Sequence, residues 1–195
     1  MSTPILSQTA AACLLAQRTN LMGAVTEAYL NSCRPDAKLI AEYVMEPEVC
    51  VDIGAGLGGV SVCLAKHWPK CKFIILDRDG YEGRKIDFGS GFGKYNSMTE
   101  AGRFLGAAGV SHGLCDIDKQ PPPKKVDLAF SILSWGFHYP IAEHIDWVSK
   151  AADHLVIDCR VGTGAERELL RHYDRALLIR QAHKHEVYYC QRKQP

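Results

Sequence analysis

A short apolar run that breaks into glycines and resumes as an apolar-faced segment leaves a chain few folds to choose from. Residues 49–67 carry such a run. Val49-Cys50-Val51-Asp52-Ile53 reads as a buried strand, Gly54-Ala55-Gly56-Leu57-Gly58-Gly59 follows, and the pattern from Gly59 to His67 predicts a helix stopped near Pro69. A strand, a glycine turn and a helix in that order bring backbone N–H groups close to a ligand. Glycine is needed wherever a Cβ would block the ligand or the turn demands a positive φ. Gly54, Gly56 and Gly59 fit a G-x-G-x-x-G spacing, and Gly58 adds a G-x-G-x-G reading.

The surroundings of this unit repeat its logic. Lys72 to Leu76 predicts a second strand that ends on Asp77, about 20 residues past the glycines, where an acid can grip a ribose diol. Asp79, ahead of Gly80, reads instead as a turn former. Further strands are expected over Val110 to Cys115, Val126 to Ile132 and His154 to Asp158, with helices over Ser97 to Ala108, Ile141 to Ala151 and Ala165 to Arg171. The alternation predicts an α/β, doubly wound, mostly parallel sheet. Arg175 to Ile179 and Glu186 to Cys190 face each other across a polar turn as an antiparallel hairpin, which a dinucleotide-binding domain does not need. Ahead of the core, Ala10 to Leu30 and, after Pro35 and Asp36, Ala37 to Met45 predict two helices. The expected division is a helical segment over 1–46, able to cover a site, and a single α/β core over 47–195.

Val51-Asp52-Ile53-Gly54-Ala55-Gly56-Leu57-Gly58, acid included, resembles the first motif of the class I (Rossmann-like) S-adenosylmethionine-dependent methyltransferases. Asp77 is similar to the acid that holds the cofactor ribose in that family. Asp116 resembles the residue that contacts the adenine. Val126 to Ser131 resembles the fourth motif, whose end faces the transferred methyl. The resemblance implies a seven-stranded sheet with an antiparallel last strand, and S-adenosylmethionine as cofactor. It implies a cleft shaped by Asp52, Gly54, Ala55, Gly56 and Gly58, with Asp77 and Arg78 at the ribose, Asp116 at the adenine and Ser131 near the methyl. A long glycine-rich insertion, Gly80 to Gly93, departs from the family pattern and reads as a loop able to act as a lid.

Ligands of open α/β sheets bind beyond the carboxyl ends of the strands. The segment after the fourth strand, Ser134-Trp135-Gly136-Phe137-His138-Tyr139-Pro140, should therefore border the reacting atoms as an aromatic loop. His138 is the candidate general base, since imidazole titrates near neutrality. Trp135 and Tyr139 would line the acceptor pocket, while His112, His154, His172, His183 and His185 read as structural or exposed. His138, Glu143 and His144 fit no zinc spacing, and no metal is expected. Tyr95-Asn96-Ser97, Phe104-Leu105, Gly109-Val110 and Trp135 to Pro140 resemble, over few residues, bacterial sugar O-methyltransferases. That likeness implies the hydroxyl of a small molecule or glycan as acceptor.

Charge and cysteine content narrow the partners. A net charge of +1, with Arg160 to Lys193 interleaved by Glu166, Glu168, Asp174 and Glu186, lacks the basic stripe that holds a phosphate backbone. No run is long and apolar enough to span a bilayer, and the first residues lack the basic leader of a signal peptide. Eight cysteines without a Cys-x-x-Cys pair suggest reduced thiols in a cytoplasmic protein. Three other readings stay open on sequence: RNA or protein as acceptor, an NAD(P)-dependent oxidoreductase on the same glycine loop, and a non-catalytic binding module. No pattern in the sequence sets an oligomeric state.

Overall fold

In the computed structural model the chain is described over residues 25–79, 82–85, 93–94 and 97–192. Among these residues, five helices and ten strands follow in the order α1 (Val25–Tyr43), β1 (Val49–Ile53), α2 (Gly59–Leu64), β2 (Lys72–Asp77), β3 (Glu82–Lys85), β4 (Gly93–Lys94), α3 (Met98–Ala107) and β5 (His112–Asp116). Next come β6 (Val126–Ser131), β7 (Ser134–Tyr139), a 3-10 turn (Ile141–Glu143), α4 (Ile145–Ala151), β8 (Ala152–Arg160), α5 (Ala165–His172), β9 (Arg175–Ala182) and β10 (His185–Gln191). Seven strands form one sheet in the order β5-β2-β1-β6-β8-β10-β9. Six of them run in one direction, and β10, antiparallel to both β8 and β9, runs against them. The predicted hairpin is that β9–β10 pair.

Alternate residues of the central strands feed two cores, as expected of strands covered on both faces. Cys50, Phe73, Ile75, Leu128, Phe130 and Val156 pack with α1, α2 and α3 on one side. Val51, Ile53, Leu76, Ala129, Leu155 and Ile157 pack with Trp135, α4 and α5 on the other. The seven cysteines among the described residues are all buried free thiols. Among those residues, too, no helix is long and apolar enough to cross a membrane, and no cluster of His, Cys, Asp and Glu is arranged for a metal.

Two expectations change. The helix predicted from Ala37 continues without a break through Pro35 back to Val25. Leu30, Cys33, Ala37, Ile40 and Val44 make one buried stripe across the proline. Their spacing of three and four residues is helical, and its burial outweighs the hydrogen bond that Pro35 cannot donate. The aromatic loop expected after the fourth strand is the extended strand β7, laid beside β8. A Cβ on Gly136 (φ +87°) would come within 2.9 Å of the Asp158 carbonyl, so glycine permits that approach. Of the glycine-rich insertion, Glu82–Lys85 and Gly93–Lys94 pair as a small antiparallel ribbon. Its remainder, like the expected helix before residue 25 and the Tyr95-Asn96 dipeptide, lies outside the described residues.

Candidate active site

Gly54 donates its N–H to the Leu76 carbonyl at 2.8 Å, which ties the start of the loop to β2. Gly54, Gly56 and Gly58 all have positive φ, at +69°, +57° and +74°. Their surroundings differ. A Cβ on Gly54 would fall 1.8 Å from Ser134 Oγ, one on Gly58 2.9 Å from Leu105 Cδ1, and one on Gly59 2.5 Å from Tyr29 Cζ. Among the described residues, a Cβ on Gly56 would meet nothing within 4 Å. Gly54, Gly58 and Gly59 thus make room for the protein itself, whereas Gly56 lies on the uncrowded face of the loop. Beside it, Asp77 Oδ2 accepts the Gly56 N–H at 2.9 Å, and Oδ1 accepts that of Arg78 at 2.8 Å. Tyr29 of α1 closes the opposite side, its hydroxyl accepting the Gly59 N–H at 3.1 Å.

The other predicted acids are engaged within the fold. Asp52 is 4% exposed and accepts the Ser61 hydroxyl at 2.7 Å, so it braces β1 against α2. Burial pushes its carboxyl up to about 7; the Ser61 hydrogen bond opposes this and the Asp77 charge adds to it. Asp116 neighbours Asp77 in register on β5 and pairs with Lys119 at 2.7 Å. The hydrogen bond from that ammonium holds its carboxyl below the usual carboxylate range. Arg78 sits in an exposed ion pair with Asp118 at 3.4 Å. Asp79 accepts the Met98 N–H at the start of α3 at 3.0 Å.

Two residues expected at the reacting atoms belong to the core. Ser131 is fully buried, its hydroxyl donating to the Ile53 carbonyl and accepting the Trp135 N–H, both at 2.9 Å. Trp135 is also fully buried, with its indole N–H on the Ile141 carbonyl at 3.0 Å. They fold β7 back over the sheet end and have no surface to offer a ligand. Phe137, His138 and Tyr139 are half-buried further along β7. The Phe137 ring meets His138 edge-on at 5.0 Å between centroids and stacks on His185 at 4.5 Å and 4°. His185 Nδ1 in turn lies 3.1 Å from a carboxylate oxygen of Asp158.

Sequence reasoning missed four of these residues. Ser134 and Tyr29 carry no motif, and Asp158 meets His185 only through the antiparallel pairing of β8 with β10. The fourth is Leu133, at φ +56° and 43% exposed beside the carboxyl end of β6. A bulky residue in the left-handed region is strained by about 1–2 kcal/mol, and nothing in its identity announces that.

This strand order, reversed β10 and glycine loop define the fold of the class I S-adenosylmethionine-dependent methyltransferases. Solved structures of that class are similar to the chain throughout. The mitomycin 7-O-methyltransferase MmcR matches with a TM-score of 0.58 at 14% identity, over 95% of this chain and 62% of that one. The S-adenosylmethionine-dependent methyltransferase SibL matches at 0.61 and 13%, over 93% and 62%. The N-terminal domain of EvdMO1, solved with S-adenosylhomocysteine (SAH) and D-fucose, matches at 0.54 and 12%, over 83% of each chain. The chain therefore spans less than two thirds of the length of MmcR and SibL. At such identities the likeness carries the fold. No family model matches the sequence, and no curated protein matches it either.

Proposed function

We propose that the chain is a cytoplasmic S-adenosylmethionine-dependent methyltransferase acting on a hydroxyl of a small molecule or glycan. The observation that carries this reading is the pairing of the open face at Gly56 with the Asp77 carboxylate beside it. A ribose diol can donate to Asp77 there, and the absent Cβ leaves the adenosine room. Asp52 supports the loop through Ser61, and the position of Asp116 next to Asp77 in register supports its reading as the adenine contact. When bound, the cofactor supplies an electrophilic methyl group. The chain's part is to hold the acceptor close and aligned, exclude water and take the hydroxyl proton. The wall for that work is the outer part of β7, where Phe137, His138 and Tyr139 stand. His138 is the base candidate on sequence, and Tyr139 the candidate for lining the pocket. The segment over 1–46 would cover the cleft, since Tyr29 already reaches the glycine loop. MmcR is named as an O-methyltransferase and EvdMO1 was solved with a sugar, which supports a hydroxyl acceptor.

A screen for SAH release from S-adenosylmethionine tests the acceptor class, using catechols, phenolic acids and methyl glycosides against aliphatic amines and RNA. Release with hydroxyl acceptors is expected. Release confined to amines or RNA would reject the hydroxyl assignment.

A further inference from the structure

The Phe137 ring carries an imidazole on two sides, and the two are held differently. His138 is its sequence neighbour on β7. His185 comes from the start of β10, lies parallel to the ring at 4.5 Å, and presents Nδ1 to both oxygens of Asp158 at 3.1 and 3.2 Å. Asp158 is 1% exposed, whereas the His185 side chain is 28% exposed. Resting on the methyl-transfer reading above, we infer that His185, oriented by Asp158 and held flat by Phe137, is the group that takes the acceptor's hydroxyl proton.

Three observations converge on this assignment. A carboxylate accepts hydrogen bonds and cannot donate them, so the neutral ring keeps its proton on Nδ1 and leaves the Nε2 lone pair free to act as a base. The second is electrostatic. Burial pushes the Asp158 carboxyl up, and the positive charge of His185 is the largest influence drawing it back down. The ring and the buried carboxylate are thus electrostatically paired, which holds the imidazole in place beside Asp158. The third is position. Asp158 stands near the carboxyl end of β8, parallel to β6, and β7 measures the distance to the glycine loop. Ser134 abuts Gly54 and Phe137 lies three residues on, or about 10 Å along an extended strand. That is the reach of a small molecule between the loop and the pair. The charged and titratable groups around the pair are Asp36 of α1, ion-paired with Arg180 of β9 at 2.6 Å, Arg160 of β8 and His138 of β7.

The step balances without a further reagent. The acceptor oxygen forms its bond to the methyl carbon while the carbon–sulfur electron pair stays on sulfur. The hydroxyl proton passes to Nε2 of His185. The resulting imidazolium, held by Asp158, returns that proton to water through the exposed part of the ring.

The test uses the chain labelled with 15N at histidine, titrated with SAH and followed by long-range proton–nitrogen NMR; His185→Gln identifies the His185 signals. The expected result is a neutral His185 protonated on Nδ1, with an Nε2 resonance that moves when SAH binds. Calorimetric affinity for SAH should stay within about threefold in His185→Gln, because the pair serves the acceptor. A proton resident on Nε2, or an Nε2 signal unmoved by SAH that calorimetry shows to bind, overturns the assignment and leaves the methyl-transfer reading intact. Absence of SAH binding overturns both. Against the hydroxyl acceptors of the screen, His185→Gln should lower turnover by about 10²-fold or more, and His138→Gln by far less. The opposite order would return the role to His138. Asp158→Asn should mix the two tautomers; if that buried change prevents folding, His185→Gln, at a part-exposed position, still decides the question.

Discussion

Asp52 carries its carboxyl group into the sheet interior, and the consequence is a stability that depends on pH. Its folded value of about 7 lies above the ordinary carboxylate range, chiefly through burial. Between about pH 4 and 7 the folded chain binds the proton more tightly than the unfolded chain, so this group's contribution to stability falls as pH rises. Asp52→Asn keeps an acceptor for Ser61 and removes the titration. Its melting temperature should fall less between pH 5 and pH 8 than that of the parent chain, and an equal fall in both would contradict the account. The glycines separate in the same way. Gly54→Ala meets Ser134 as well as a positive φ and should cost about 2–5 kcal/mol in denaturant unfolding. Gly56→Ala meets strain alone and should cost about 1 kcal/mol, yet weaken SAH binding more than tenfold. Equal stability losses, or unchanged binding in Gly56→Ala, would show that the open face lies elsewhere. At this scale the loop and Asp77 were legible, because a strand end, a turn and a following acid are neighbours in sequence. Ser131, Trp135 and the His185–Asp158 pair were not, since their roles depend on chain reversals that bring distant segments together.

Elements were legible wherever burial follows a single period. The strand over Val49–Ile53 coincides with its prediction, and Met98–Ala107 differs by a residue at each end because Ser97 serves as the N-cap. The reading failed where a local signal opposed a tertiary one. Pro35 argued for two helices, but α1 is continuous and buries one stripe through it. An interior proline forfeits a hydrogen bond at a cost of about 3 kcal/mol, so Pro35→Ala should stabilise the chain by about 1–3 kcal/mol. Urea unfolding measures this; a loss of stability would mean that the proline's bend is needed to seat the helix. For β7 the glycine and aromatic content suggested a loop, whereas Gly136 is the residue that lets a strand lie against Asp158.

Across the whole molecule the arrangement of strands is what separates the candidate ligands. A dinucleotide-binding sheet carries parallel strands in the order 3-2-1-4-5-6. Here the first five positions agree, but the reversed β10 is inserted between β8 and the edge strand β9. That insertion sets Asp158 and His185 side by side at the end of the sheet where the glycine loop and β7 also lie. SAH and NADH, each added to the full chain and to Asp77→Ala in a calorimeter, distinguish the two cofactors. Saturable heat is expected with SAH, its loss or a more than tenfold weakening in Asp77→Ala, and no heat with NADH. Binding of NADH in preference to SAH, or SAH binding that survives unchanged in Asp77→Ala, would contradict the cofactor assignment.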